Sequence, residues 1–343
     1  MDDAQHQAMT DWLADHSQTP ADCVVGVAAR HQVTILGEVH GKKEFLAFLN
    51  RIIPRLYHEA GVRVIALECC PSDLDDEIAQ LVNGQQFDHE LARHVARSHV
   101  WAAWGWQGYW DVLETVWKLN RSLSAEQEPL QVVGISPRLD MPSLDLVQRG
   151  PWVEKLRIIR LLAGLPQFGF HDAHYASHVE RPAFKEGKRT VVWVGDAHSI
   201  LRSAPPGVHR MGSMLYGRYG DQVAHVVLQN VFGHGKIAEL IEKCAEKRSD
   251  RRLAFEAGDS PFAALRDGSA YFFSKQSERC FADLVSAYVV LAPAHSLQRC
   301  DWMDGYVSQY MFGRNKPLYE LMVGRQLADH HEANRYMAKG MQF

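Results

Sequence analysis

Six short runs of aliphatic and β-branched residues punctuate the chain, each ending abruptly at small or polar residues. Val33-Thr-Ile-Leu36 stops at Gly37, Val62-Arg-Val-Ile-Ala-Leu67 at Glu68, Leu130-Gln-Val-Val133 at Gly134, and Val191-Val-Trp-Val194 at Gly195. Val223-Ala-His-Val-Val-Leu228 and Ala287-Tyr-Val-Val-Leu-Ala292 follow. Runs this continuous predict strands covered on both faces. Between them apolar positions recur at helical spacing. Residues 44–57 put Phe45, Phe48, Leu49, Ile52, Ile53 and Leu56 on one side, with Gly61 as a stop and Pro54 expected to kink or break the helix. Residues 111–119 repeat the pattern with Val112, Leu113, Val116 and Trp117. This alternation predicts an α/β fold, a mostly parallel central sheet flanked by helices. Ligands of such sheets sit beyond the carboxyl ends of the strands.

Two segments interrupt the alternation, 72–110 and 141–185, both rich in helix formers and aromatic residues. They are expected to be helical insertions capping the strand ends, within one α/β domain spanning 1–343. An apolar fraction of 46% and a charged fraction of 23% suit a globular protein with a full core. Net charge is −4 and no basic stripe stands out, which argues against nucleic acid as partner. No basic start followed by an apolar run marks a secretory signal, and no stretch is long enough to span a bilayer. The six cysteines form no C-x-x-C pair, so reduced thiols and a cytoplasmic setting are expected.

Histidine is the outlier, with 18 in the chain. Two of them sit in a repeated arrangement of buried strand, glycine, acid, small or aliphatic residue and histidine: Gly37-Glu38-Val39-His40 and Gly195-Asp196-Ala197-His198. Taken alone, the first loop reads as a helix cap with His40 packed beneath it. The second loop changes that weighing, because two such loops at parallel strand ends can face one another across a cleft. Two neutral imidazoles with Glu68 and Asp196 would make a first shell for a divalent transition metal, Mn, Co, Zn or Fe. Glu68 reads equally well as a strand-end carboxylate accepting backbone N–H bonds.

These landmarks resemble the superfamily that gathers Tiki-type metalloproteases, ChaN-like haem-binding proteins and erythromycin esterase-like hydrolases. The resemblance rests on Leu36-Gly-Glu-Val-His40, Ala66-Leu-Glu68, the aromatic segment Trp104-Gly-Trp106 before a helix, Val133-Gly-Ile-Ser136 and Gly195-Asp-Ala-His198. It implies His40 and His198 as the paired histidines, with Glu38 and Glu68 as the acids beside them. The spacing departs from the esterase pattern, which places one more residue between Glu and His, and Gly41 stands where ChaN-like proteins commonly carry an acid.

Around this centre other side chains are candidates. His171, His174 and His178 would share a helix face at metal-ligand spacing, or simply form a polar surface. Trp104 and Trp106, with Trp101, Tyr109 and Trp110, would wall an apolar substrate or haem pocket, or pack the core. Arg138 would hold an anionic substrate group, or form a surface ion pair. His295 follows the last strand. The leading expectation is a metal-dependent hydrolase acting on an ester or amide of a small molecule or peptide, with a metal-free variant in which His40 is the base. The alternatives are a haem- or iron-binding protein and a catalytically silent binding member.

Overall fold

In the computed structural model the described residues are 3–98, 104–137, 170–202, 209–229, 236–247, 251–266 and 280–339. Their seven strands are β1 (Val33–Glu38), β2 (Val64–Pro71), β3 (Gln131–Ser136), β4 (Thr190–Gly195), β5 (Val223–Leu228), β6 (Leu253–Glu256) and β7 (Ala287–Val290). They form one sheet in the order β3-β2-β4-β1-β5-β7-β6. Every pairing is parallel except β6 with β7. β1 and β4 are buried at every position, as their apolar runs require, and they lie side by side, Glu38 in register with Gly195. The α/β class expected from the alternation is the class observed.

Helices cover both faces. On one face the helices Pro20–Arg30, Lys43–His58, Asp75–Asn83, His89–Ser98 and Gln107–Ser122 share a core with Leu36, Leu67 and Trp193. On the other, Phe170–Glu180 and Met211–Tyr219 pack over Ile35, Ala66 and Val194. A third cluster joins the helices Asp3–His16 and Lys236–Glu246 to β6 and β7. None of the described helices is long and apolar enough to cross a membrane.

Several expectations are corrected. The helix over 44–57 runs from Lys43 to His58 without a break at Pro54. Its eight buried side chains outweigh the one backbone bond that proline removes. The run that was expected to stop at Glu68 continues to Pro71, with a shift of register between Leu67 and Pro71 that re-aims the strand end. β6 was not foreseen, because four residues at a sheet edge carry too little pattern. Of the two expected insertions, 72–110 supplies a 3-10 turn at Ser72–Leu74 and the helices Asp75–Asn83 and His89–Ser98. Of 141–185, the helix Phe170–Glu180 and the turn Arg181–Lys185 are described, and 141–169 lies outside the described residues.

The bulged end of β2 depends on a bare backbone opposite it. A Cβ on Gly134 would stand 2.3 Å from the Pro71 carbonyl oxygen, and the Gly134 N–H donates to Asp75 Oδ1 at 2.9 Å. Because the obstacle is backbone, it cannot swing aside. Gly134→Ala should destabilise the fold by about 1–3 kcal/mol, the usual cost of overpacking a core. Urea unfolding of the variant measures it, and an unchanged midpoint would refute the close contact.

Candidate active site

Successive residues of a strand point to opposite faces, so Glu38 and Gly37 at the end of β1 serve different sides of the sheet. The Glu38 carboxylate is buried, 2% exposed. Its Oε1 accepts the His40 Nδ1–H at 2.9 Å and the Tyr109 hydroxyl at 2.5 Å. Tyr109 in turn accepts the Gly41 N–H at 3.0 Å. Burial first, and then the charge of Glu38, push the Tyr109 phenol well above its usual value, so it stays a donor. With Nδ1 committed to Glu38, His40 turns Nε2 toward Glu68, 3.8 Å from its Oε2. A third of its side chain is exposed. Trp104 stands edge-on to the imidazole, 4.8 Å between ring centres.

Glu68 comes from β2, two strands away. Its Oε2 accepts the Gly195 N–H at 2.7 Å and lies 3.8 Å from His40 Nε2. Its Oε1 accepts from the Tyr175 hydroxyl at 3.3 Å and lies 3.6 Å from His198 Nε2. One carboxylate therefore stands between the two imidazoles, one oxygen toward each.

His198 rides on a single turn, Asp196–Ser199, immediately after β4. Its Nδ1–H donates to Asp172 Oδ1 at 2.9 Å. Asp172, 1% exposed, also accepts the Met211 N–H at 2.7 Å and faces Arg210 Nη1 at 3.3 Å. The site thus contains two histidine–carboxylate pairs, Glu38–His40 and Asp172–His198, meeting at Glu68.

The electrostatics follow from that geometry. For His40 burial alone would lower the pKa, but the bond to Glu38 and the charges of Glu68 and Glu38 outweigh it and raise it. For His198 burial is again opposed, by the charge of Glu68 and the bond to Asp172, and the result is again a raised pKa. Asp172 is held below its usual value: burial would raise it, but His198, the Met211 N–H and Arg210 prevail. His171 moves the other way, lowered by burial and then by the nearby charge of His198.

The remaining candidates separate. Asp196 is not turned toward His40 and His198: its Oδ1 lies 3.7 Å from His225 Nε2, beside Gly37. Trp104 and Trp106 are only 4% and 6% exposed, so they pack rather than wall an open pocket. Trp104 still touches His40, whereas Trp106 fills the space beside Gly41 and meets Trp302. His174 shares a hydrogen bond with Ser72 Oγ at 2.8 Å and its ring lies 4.0 Å from that of His178, away from the cleft. His295 is exposed. Arg138 and Trp101 lie outside the described residues.

Sequence reasoning missed Asp172, Arg210 and Tyr175 and did not assign Tyr109 its hydroxyl role. Asp172 lay inside the histidine-rich segment that was weighed, masked by its neighbours.

The metal donor set does not hold together as expected. Among the described residues no three or more His, Cys, Asp or Glu are grouped to hold a metal ion. Asp196 faces elsewhere, the imidazoles meet different oxygens of Glu68, and Gly195 and Tyr175 already engage that carboxylate.

No family model and no curated protein matches the chain. Solved structures do resemble it. A Bacillus cereus protein aligns with a TM-score of 0.58 at 10% identity, over 83% of this chain and 97% of its own. A succinoglycan biosynthesis protein aligns with a TM-score of 0.58 at 11% identity, over 84% and 97%. The erythromycin esterase EreC, as a mutant in its open conformation, aligns with a TM-score of 0.56 at 13% identity, over 82% and 95%. The chain has the fold of these proteins, erythromycin esterase among them, as the ordered landmarks implied.

Titration of the imidazoles by NMR tests the electrostatics. His40 and His198 should titrate above the usual 6.5 and His171 below it. Glu38→Gln should lower the midpoint of His40 and leave that of His198 in place. Stability carries the matching sign. The contribution of each raised histidine is complete below its unfolded pKa, near 6.5, and is lost as pH rises through the folded value. A His40 midpoint below 6.5 in the unsubstituted chain would refute the pairing with Glu38.

Proposed function

We propose that this chain is a hydrolase in which His40, oriented by Glu38, activates water for attack on an ester bond. The observation that carries the proposal is the pair of carboxylate-backed imidazoles converging on Glu68. A base needs a fixed tautomer, a free nitrogen and a stabilising charge behind it, and the Tyr109–Glu38–His40 chain supplies all three. An ester is favoured over an amide by the likeness in fold to erythromycin esterase.

In the proposed reaction a water oxygen bonds to the carbonyl carbon while its proton passes to His40 Nε2. The tetrahedral species then collapses, the bond to the alcohol oxygen breaks, and that oxygen takes the proton of His198 Nε2. The products are a carboxylic acid and an alcohol, and transfer of the His40 proton to His198, directly or through solvent, resets the site. Glu68 stabilises both imidazolium forms, one oxygen each.

Water is the nucleophile because the protein's own described candidates are unsuited. Ser136 Oγ is tied to the Glu68 carbonyl at 2.6 Å, and Ser199 is wholly buried. The Cys69 thiol is buried and its pKa is driven well above the usual value, which suppresses the thiolate.

His40→Ala should cut kcat/KM on p-nitrophenyl acetate, or on a macrolide lactone as a second probe, by about 10²–10⁴-fold, the range for a general base. In the unsubstituted chain the acid limb of the rate profile should lie above 6.5, because His40 must lose its proton to act and its pKa is raised. Dialysis against a chelator should leave the rate unchanged. Loss restored by manganese, cobalt or zinc would replace this reading with a metal-dependent one, and equal rates for His40→Ala and the parent would leave a binding protein instead.

A further inference from the structure

Beside Gly37 lies a second polar cluster. Ser199 Oγ lies 2.7 Å from both His225 Nε2 and the Asp196 carbonyl oxygen, two acceptors that share its one hydroxyl proton. His225 Nδ1–H donates to the Leu284 carbonyl at 3.0 Å, which fixes the ring to the segment before β7. Both Ser199 and His225 are 0% exposed. A serine and a histidine at this distance resemble a nucleophile and its base, but no substrate reaches an atom buried so completely. The pair must act on the protein itself.

What it holds is the turn that carries His198. Asp196–Ser199 is four residues long. A single turn has too few backbone bonds to maintain itself, since helix nucleation is unfavourable until several bonds follow. Its position must come from outside. From one side the backbone of Gly212 abuts it so closely that a Cβ there would lie 2.0 Å from the Ser199 carbonyl oxygen. From below, a Cβ on Gly37 would lie 2.5 Å from Ser199 Oγ, 2.9 Å from His225 Nε2 and 3.0 Å from Asp196 Oδ1. The space under the turn is therefore occupied by the Ser199–His225 contact and the Asp196 carboxylate.

We propose that His225, acting through Ser199, is a positioning residue that sets the His198 imidazole against Glu68 and Asp172, and that Gly37 is bare to admit this contact. The catalytic consequence rests on the hydrolase reading above; the positioning itself does not.

Both can be tested on the full chain. Ser199→Ala and His225→Gln are compared with Thr34→Val, which removes a buried β1 hydroxyl that has no hydrogen-bond partner. In carbon–proton NMR spectra of the imidazoles, the His198 cross-peak should move in Ser199→Ala and His225→Gln and stay in Thr34→Val. The His40 cross-peak should stay in all three. With p-nitrophenyl acetate, kcat should fall about tenfold to a hundredfold with KM unchanged, the scale expected when a reacting group is displaced by about 1 Å. A His198 cross-peak unmoved in folded Ser199→Ala overturns the proposal. A moved cross-peak with unaltered turnover upholds the positioning and instead removes His198 from the reaction. If His225→Gln does not fold, Ser199→Ala decides alone.

Discussion

Three carboxylates, Glu38, Glu68 and Asp172, are 2%, 5% and 1% exposed at the end of one sheet. Burying an ionised carboxylate costs several kcal/mol unless opposite charge and hydrogen-bond donors replace the lost water. The rest of the site answers that requirement. Backbone N–H groups of Gly195 and Met211, the hydroxyls of Tyr109 and Tyr175, the Arg210 guanidinium and two imidazoles all point at these oxygens. The raised histidines are a consequence of the same requirement, since protonated imidazole is the counter-charge that the carboxylates lack.

The two Gly-x-x-His loops interlock through their glycines. A Cβ on Gly195 would fall 2.8 Å from Nε2 of His40, which belongs to the other loop. A Cβ on Gly37 would collide with Ser199 and Asp196 of the second loop. Each glycine thus makes room for side chains of its counterpart, and neither loop could keep its conformation if the other were withdrawn. The adjacency of β1 and β4 makes this exchange possible, because Glu38 and Gly195 stand in register. Chain reversal, which any glycine might serve, is the lesser part of their role.

The sheet, its parallel sense and the convergence of His40, Glu68 and His198 were legible because buried strands write near-continuous apolar runs and sites of this architecture gather at their ends. What stayed hidden has physical causes. Asp172 and Tyr175 reach the centre from the helix Phe170–Glu180 rather than from a strand end, and helical periodicity says nothing about which sheet edge a helix covers. Arg210 precedes a helix with no motif to distinguish it. Asp196 was misjudged because a one-turn helix after β4 turns residues 196 and 198 toward different partners, His225 and the Glu68–Asp172 pair, where an extended loop would have kept them together. The tryptophans were candidates for a pocket wall by composition, yet Trp106 is consumed in closing the space beside Gly41 and Trp104 packs against His40 and Tyr109.

The two imidazoles are alike in partners but not in the charge available to them, and this decides their roles in the proposed reaction. Asp172 shares its charge with Arg210 and the Met211 N–H, so His198 faces a carboxylate already partly neutralised. Among the described residues Glu38 has no cation beside it other than His40, and its Oε2 is buried without a hydrogen-bond partner. Gaining a proton at His40 therefore adds a positive charge beside a carboxylate that otherwise has the Tyr109 hydroxyl as its donor. His40 is also the more exposed of the pair, a third of its side chain against 15% for His198. In the proposed reaction the more exposed His40 is therefore the imidazole that water reaches, and the more enclosed His198 is the one that gives a proton to the leaving group.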